Sequence, residues 1–120
     1  MRTRDFDCRS YQTAVSLLRS RPERKVCNNT YLRRDAVTGG IGVYLHGHQI
    51  VLFQEDKPVR ISSCGWRTVT TKQRINCCLP DQCYLYQVQG DWLVDMMRVE
   101  SGTGHMKPVP HDFFDGMEVE

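Results

Sequence analysis

Apolar and polar side chains alternate through the middle of the chain. In residues 41–45, isoleucine, valine and leucine alternate with glycine and tyrosine. Strand-like composition recurs in four segments that short, turn-forming stretches separate: residues 30–34, 41–45, 49–53 and 59–62. Because short turns join antiparallel neighbours, this pattern predicts a meander of four antiparallel strands.

Two segments have the helical pattern instead. Ser10 is suited to cap a helix whose apolar positions are 11, 14, 15 and 18, and Pro22 sets its limit. Thr70, followed three residues later by Gln73, fits a capping box at the start of a second helix. That helix is expected to end before Pro80.

The last third of the chain starts with a hairpin and then loses its pattern. Residues 84–88 and 91–94 flank Gln89-Gly90, and after Met97 glycines and prolines interrupt the apolar spacing. The predicted fold class is α+β: an N-terminal helix, an antiparallel β-meander of about four strands, one capped helix and a C-terminal β-hairpin. We expect one domain over residues 1–97, and an irregular acidic tail over residues 98–120 that can dock on it.

Charge is distributed unevenly over the 120 residues, although the net charge is only +2. Residues 1–80 carry 14 basic and 6 acidic side chains, a net of +8, and residues 81–120 carry 2 and 8, a net of −6. This polarity indicates a basic face suited to anions or nucleic acid; solvated surface charge is the competing interpretation. A mimic of DNA would need an acidic chain throughout.

Neither a secretory signal nor an apolar run of about 18 residues is present, so no membrane association is expected. The host bacterial cytoplasm is therefore the predicted location, with the six cysteines as reduced thiols. Cys77-Cys78 followed by Cys83 lacks the usual spacing of zinc ligands. No cysteine or histidine stands in a recognisable catalytic context, so we predict no metal, no cofactor and no catalytic residue.

The richest candidate for chemistry is the segment from residue 62 to residue 76. A helix start that carries hydroxyls and cations is suited to an anionic group, because its first amides and its dipole favour negative charge. Five residues of this segment are predicted to bind one ligand: Arg67, Thr70, Thr71, Lys72 and Asn76. A plain helix cap with solvated charges is the competing interpretation. Trp66 and Trp92 supply aromatic rings near cations, as in single-strand binders.

Three blocks of sequence resemble a family of small phage-encoded proteins. They are NNTYLRR at residues 28–34, the strand at 41–45 with His46, and GWRTVTTK with RIN between residues 65 and 76. The resemblance covers roughly residues 26–94 and implies a phage or prophage origin, without an assigned activity. Cys64 stands where that family has glycine, and residues 95–120 lie outside the resemblance.

Three functions follow as alternatives. The first is a non-enzymatic accessory protein that binds a nucleotide or nucleic acid through the basic helix start. The second is an anti-defence inhibitor that binds a host immune protein, and the third is a small enzyme of unknown reaction. Neither the ligand, the host target nor the oligomeric state follows from the sequence.

Overall fold

The computed structural model describes residues 6–120, which form two helices and nine strands. The helices are α1 (Tyr11–Leu18) and α2 (Val69–Asn76). The strands are β1 (Glu23–Cys27), β2 (Thr30–Arg34), β3 (Ile41–Leu45), β4 (His48–Phe53), β5 (Val59–Ile61), β6 (Tyr84–Val88), β7 (Asp91–Val99), β8 (Met106–Asp112) and β9 (Met117–Val119).

The strands form two antiparallel sheets. The first has the order β1-β2-β3-β4-β5-β9, and the second has the order β6-β7-β8. The predicted α+β class was therefore wrong, since the described chain is mostly β and resembles a β-sandwich. The predicted meander is present as β2–β5, but five further strands extend it or form the second sheet.

Residues 98–120 are not irregular. They include the end of β7, all of β8 and all of β9. Strand β9 returns to the first sheet, where Val59 lies opposite Val119 and Ile61 opposite Met117. The C-terminal segment thus belongs to both sheets in turn.

One continuous hydrophobic core joins the two sheets and the two helices. Strand alternation supplies it: Leu32 of β2 and Val43 of β3 are fully buried, as is Val94 of β7. From the helices, Leu18 and Ile75 are fully buried. Since each sheet buries one face against the same core, neither sheet is a separate unit.

The predicted N-terminal cap is confirmed for α1 and was wrong for α2. The Ser10 cap of α1 is confirmed, because its side chain accepts a hydrogen bond from the Thr13 amide. Helix α2 begins two residues before the predicted position. Its cap is Thr68, whose Oγ1 accepts from the Thr71 amide at 3.1 Å, so Thr70 lies inside the first turn. The capping box predicted from Thr70 and Gln73 was wrong.

Replacing Thr68 with alanine should lower the free energy of unfolding by about 1 kcal/mol, the usual cost of removing a capping hydroxyl. Thr70→Ala is the matched control, because Thr70 is exposed and its hydroxyl has no hydrogen-bond partner among residues 6–120. Urea denaturation of both variants measures the difference. A larger loss for Thr70→Ala than for Thr68→Ala would contradict this assignment of the cap.

Candidate functional site

A cavity of about 350 Å³ lies where the start of α2 meets the hairpin tip between β3 and β4. Buried Leu45 and Ile50 form its apolar part. Ser63, Thr70 and Thr71 contribute hydroxyl groups to its lining. The cavity therefore offers both apolar surface and hydrogen-bonding groups, as small-molecule sites do.

Trp66 and His48 give the cavity an aromatic wall. Their ring centroids are 6.0 Å apart with the planes inclined at 36°, and both residues line the cavity. Trp66 is 58% exposed, which is unusual for so large an apolar side chain. An exposed indole beside a cavity can stack on a planar ligand group.

Two tight bends bring these side chains together. His46 and Gly47 both have positive φ, at 52° and 82°, which allows a two-residue hairpin turn that places His48 at the start of β4. Cys64 and Gly65 have φ of 53° and 83°. A left-handed backbone favours glycine, so Gly65 suits this bend, whereas Cys64 adopts a conformation that side chains usually avoid.

The C-terminal segment holds the loop of the second bend in place. The Asp115 carboxylate accepts hydrogen bonds from both the backbone amide and the hydroxyl of Ser63, each at 2.8 Å. Ser63 is almost fully buried, and its carbonyl accepts from the Trp66 amide. Sequence reasoning missed this contact because Ser63 and Asp115 are 52 residues apart.

The two predicted cations both lie against one buried aromatic ring. The guanidinium carbon of Arg67 lies 5.6 Å from the centroid of Trp92, and the Lys72 ammonium lies 5.6 Å from the same ring. Trp92 packs against Phe113, with the centroids 5.2 Å apart. Trp92 is only 3% exposed, so it is a core residue whose ring contacts the two cations. Its ring is not accessible for stacking on a ligand.

The other three predicted ligand residues divide into two sets. Thr70 and Thr71 line the cavity, although Thr71 is buried and its hydroxyl is hydrogen-bonded to that of Thr68. The Asn76 side chain lies further along α2 and bonds to the backbone of β6. It donates to the Leu85 carbonyl and accepts from the Leu85 amide, both at 2.8 Å. Its amide group is therefore already engaged by the protein.

A family model described as Kyanoviridae Gp96 protein matches residues 9–120. The chain belongs to that family. This match confirms the phage character inferred from the resemblance. It also includes residues 95–120, which the resemblance left out, so the C-terminal segment is part of the family's sequence. No curated protein and no solved structure matches the chain.

Residues 6–120 contain no helix long and apolar enough to cross a bilayer. Within the same range, no group of three or more histidine, cysteine or acidic side chains is arranged to hold a metal ion. Three cysteines lie close together in the core, where the Cys8 amide donates to the Cys77 carbonyl and Cys78 is fully buried. Burial and the neighbouring Asp7 carboxylate raise the pKa of Cys8 to about 12.

The thiols should differ strongly in reactivity. The thiolate is the nucleophile, so at about pH 8 the raised pKa of Cys8 and Cys78 keeps both protonated and inert, while exposed Cys64 is accessible. Iodoacetamide should therefore modify Cys64 first, as peptide mass spectrometry can measure. Urea-unfolded protein is the control, in which all three should react. Equal rates for Cys8 and Cys64 in folded protein would contradict this assignment.

Asn76→Asp should lower the free energy of unfolding by about 1–3 kcal/mol, because a carboxylate cannot donate to the Leu85 carbonyl and leaves it without its partner. Faster hydrogen exchange at the Leu85 amide should accompany the loss. Gln73→Ala, on an exposed position one turn earlier, is the control and should change stability by less than about 0.5 kcal/mol. Equal stability of Asn76→Asp and wild type would show that this contact is dispensable.

Proposed function

We propose that this phage-encoded protein binds an anionic ligand, a nucleotide or a short nucleic acid, at the N-terminal end of α2. The meeting of Arg67 and Lys72 over the Trp92 ring supports the proposal most directly. Neither cation forms an ion pair with a carboxylate among residues 6–120. Lys72 Nζ donates a hydrogen bond of 2.9 Å to Gln87 Oε1, a neutral acceptor, so its charge stays uncompensated there, and a bound anion would supply the counter-charge.

The start of the helix adds to this positive field. Helix α2 has no acidic residue in its first turn, and the amides of Val69 and Thr70 have no hydrogen-bond partner among the described residues. Lys72 lies in the first helical turn, where its charge opposes the helix dipole. An anion at this end would bind to free amides and would offset the unfavourable placement of Lys72.

The adjacent cavity favours a ligand with a planar group. Its volume of about 350 Å³ is in the range of small-molecule sites, and Trp66 is available for stacking. Arg67 follows Trp66 directly and precedes Thr68, two residues that line the cavity. A nucleotide could therefore place its base against Trp66 and its phosphates near Arg67, Lys72 and Thr70. Asn76 is left out of this ligand set because Leu85 engages its amide.

The alternative function, inhibition of a host defence protein, needs a surface suited to another protein rather than a cavity. Enzymatic activity has less support, because the cavity histidines His46 and His48 have no acidic side chain as hydrogen-bond partner among the described residues. Binding without catalysis is the function that the geometry at α2 favours.

Arg67→Gln and Lys72→Gln should each weaken binding of a nucleoside triphosphate or a short single-stranded oligonucleotide by about tenfold, the effect of one charge-assisted hydrogen bond. Trp66 fluorescence provides the measurement, since Trp92 is buried and Trp66 is exposed. Titrations at about 50 and 200 mM salt should show weaker binding at the higher salt.

Lys57→Gln provides the matched control, because it removes one positive charge from the exposed turn between β4 and β5. It should bind like wild type. A Trp66→Phe variant should keep its affinity within a few-fold when calorimetry is used, while the change in fluorescence on binding becomes smaller, since only Trp92 remains to emit. Equal binding by Arg67→Gln, Lys72→Gln and Lys57→Gln, or no binding by wild type, would refute the proposed site.

A further inference from the structure

The second sheet has an outward face that no described element covers. Alternate residues of β6, β7 and β8 point away from the core, and the strand register brings them into one surface. Most of the outward positions are apolar, and the central ones define the outer apolar face: Tyr84, Tyr86, Leu93, Met97, Pro108 and Pro110. Tyr84 is 57% exposed, and Tyr86, Leu93 and Met97 are half-buried. A contiguous, partly exposed apolar surface marks an interaction site more often than scattered apolar side chains do.

Every charge at an outward position of these three strands is negative. Asp95 lies at the centre, opposite Tyr84 on one side and Pro110 on the other. Asp91 and Asp112 lie at the end of the sheet next to the β6–β7 turn. The basic residues of the sheet, Arg98 and Lys107, are opposite each other in the strand register and occupy positions of the other face. Among residues 6–120, none of the three outward aspartates forms an ion pair.

Asp95 is fixed by its surroundings. The Tyr86 hydroxyl donates a hydrogen bond of 2.7 Å to Asp95 Oδ1, and this bond raises the pKa of Tyr86. The rings of Tyr84 and Tyr86 are stacked, with centroids 6.3 Å apart. A carboxylate held among aromatic rings loses little conformational freedom when a cation binds to it, as preorganised contacts do.

Both edges of this sheet resist the addition of another strand. The Asn76 amide already engages the Leu85 amide and carbonyl on β6. Strand β8 contains Pro108 and Pro110, which have no amide hydrogen to donate. A partner would accordingly dock on the face of the sheet and would not extend it.

We infer that the outer apolar face binds another protein, one that presents a lysine or arginine surrounded by apolar side chains. Charge complementarity with Asp95 supports this occupant, because a central carboxylate among apolar groups selects a cation. Nucleic acid and anionic membranes are disfavoured by three aspartates. A second copy docked symmetrically through the same face would bring the two Asp95 residues near each other and is disfavoured by like charge.

Photo-crosslinking would capture such a partner. The crosslinking residue p-benzoylphenylalanine replaces Tyr84, and the protein is produced in the host during phage infection. Mass spectrometry identifies the crosslinked protein, which is then purified for calorimetry. A crosslink to nucleic acid, to a second copy, or to no protein would overturn the inference. Tyr84 lines one pocket with Lys72, so the Asp95 variants described next, which leave the proposed ligand set unchanged, separate this inference from nucleotide binding at α2.

Asp95→Lys should weaken binding of the identified protein by at least about tenfold, because it places a cation against the partner's cation. Asp95→Asn keeps an acceptor for the Tyr86 hydroxyl, so its local structure should be preserved. Binding should still weaken measurably, and this result would show that the loss of charge, not misfolding, is the cause. Asp56→Lys, in the exposed β4–β5 turn, is the control and should bind like wild type. Replacing the partner's cation with glutamate should restore binding to Asp95→Lys. Wild-type affinity in both Asp95 variants would overturn the inference.

Discussion

The hydrophobic core shared by both sheets sets their arrangement, and helix α2 bonds to each of them across it. The double hydrogen bond between Asn76 and Leu85 ties α2 to the second sheet. Two residues earlier, the buried Arg74 donates from Nε to the Thr30 hydroxyl at 3.0 Å and thereby ties the same helix to the first sheet. A helix of only eight residues is marginal alone, so these contacts to both sheets, with the burial of Ile75, are what stabilise it.

The far end of α2 is held in a similar way. Arg9 donates to the carbonyls of Asn76 and Leu79, at 2.9 and 2.8 Å, and so satisfies groups that a helix end leaves without partners. Its positive charge also suits the helix C-terminus. With one end capped by Arg9 and the other by Thr68, the position of the first turn is fixed. Of the proposed ligand residues, Thr70 and Lys72 therefore belong to this helix, and Arg67 lies in the loop just before its cap.

The meander could be predicted because its strands alternate clearly and their turns have strong signals, as at Gly47. The strands that were missed lack those signals. Strand β1 is polar and half-exposed, β8 contains two prolines, and β9 has three residues. Strands β1 and β8 pair with strands adjacent in sequence, β2 and β7, but their own composition gives a weak strand signal. Strand β9 pairs with the distant β5, which local composition cannot reveal. Because prolines argue against a strand, the second sheet was recognised as a hairpin alone.

The predicted ligand set stays a prediction. Two of its members, Arg67 and Lys72, lie against Trp92, because both are near the start of one helix. The cap was misplaced because the capping-box pattern favours Thr70, which has Gln73 three positions later, whereas the observed cap, Thr68, has Thr71 at that position. The role of Asn76 depends on Leu85, which belongs to another element. A segment can be recognised from local sequence. The contacts between elements, such as that of Ser63 with Asp115, depend on the fold and cannot.

The two proposed surfaces use opposite faces of one strand. Trp92 of β7 points into the core, where Arg67 and Lys72 lie against it, and Asp95 points outward from the same strand. Strand alternation places the cations on one side of the sheet and the central carboxylate on the other. A polyanion bound at α2 therefore need not contact the aspartates. The uneven charge along the sequence thus corresponds to two separate surfaces: a basic one at the start of α2 and an acidic one on the outer apolar face.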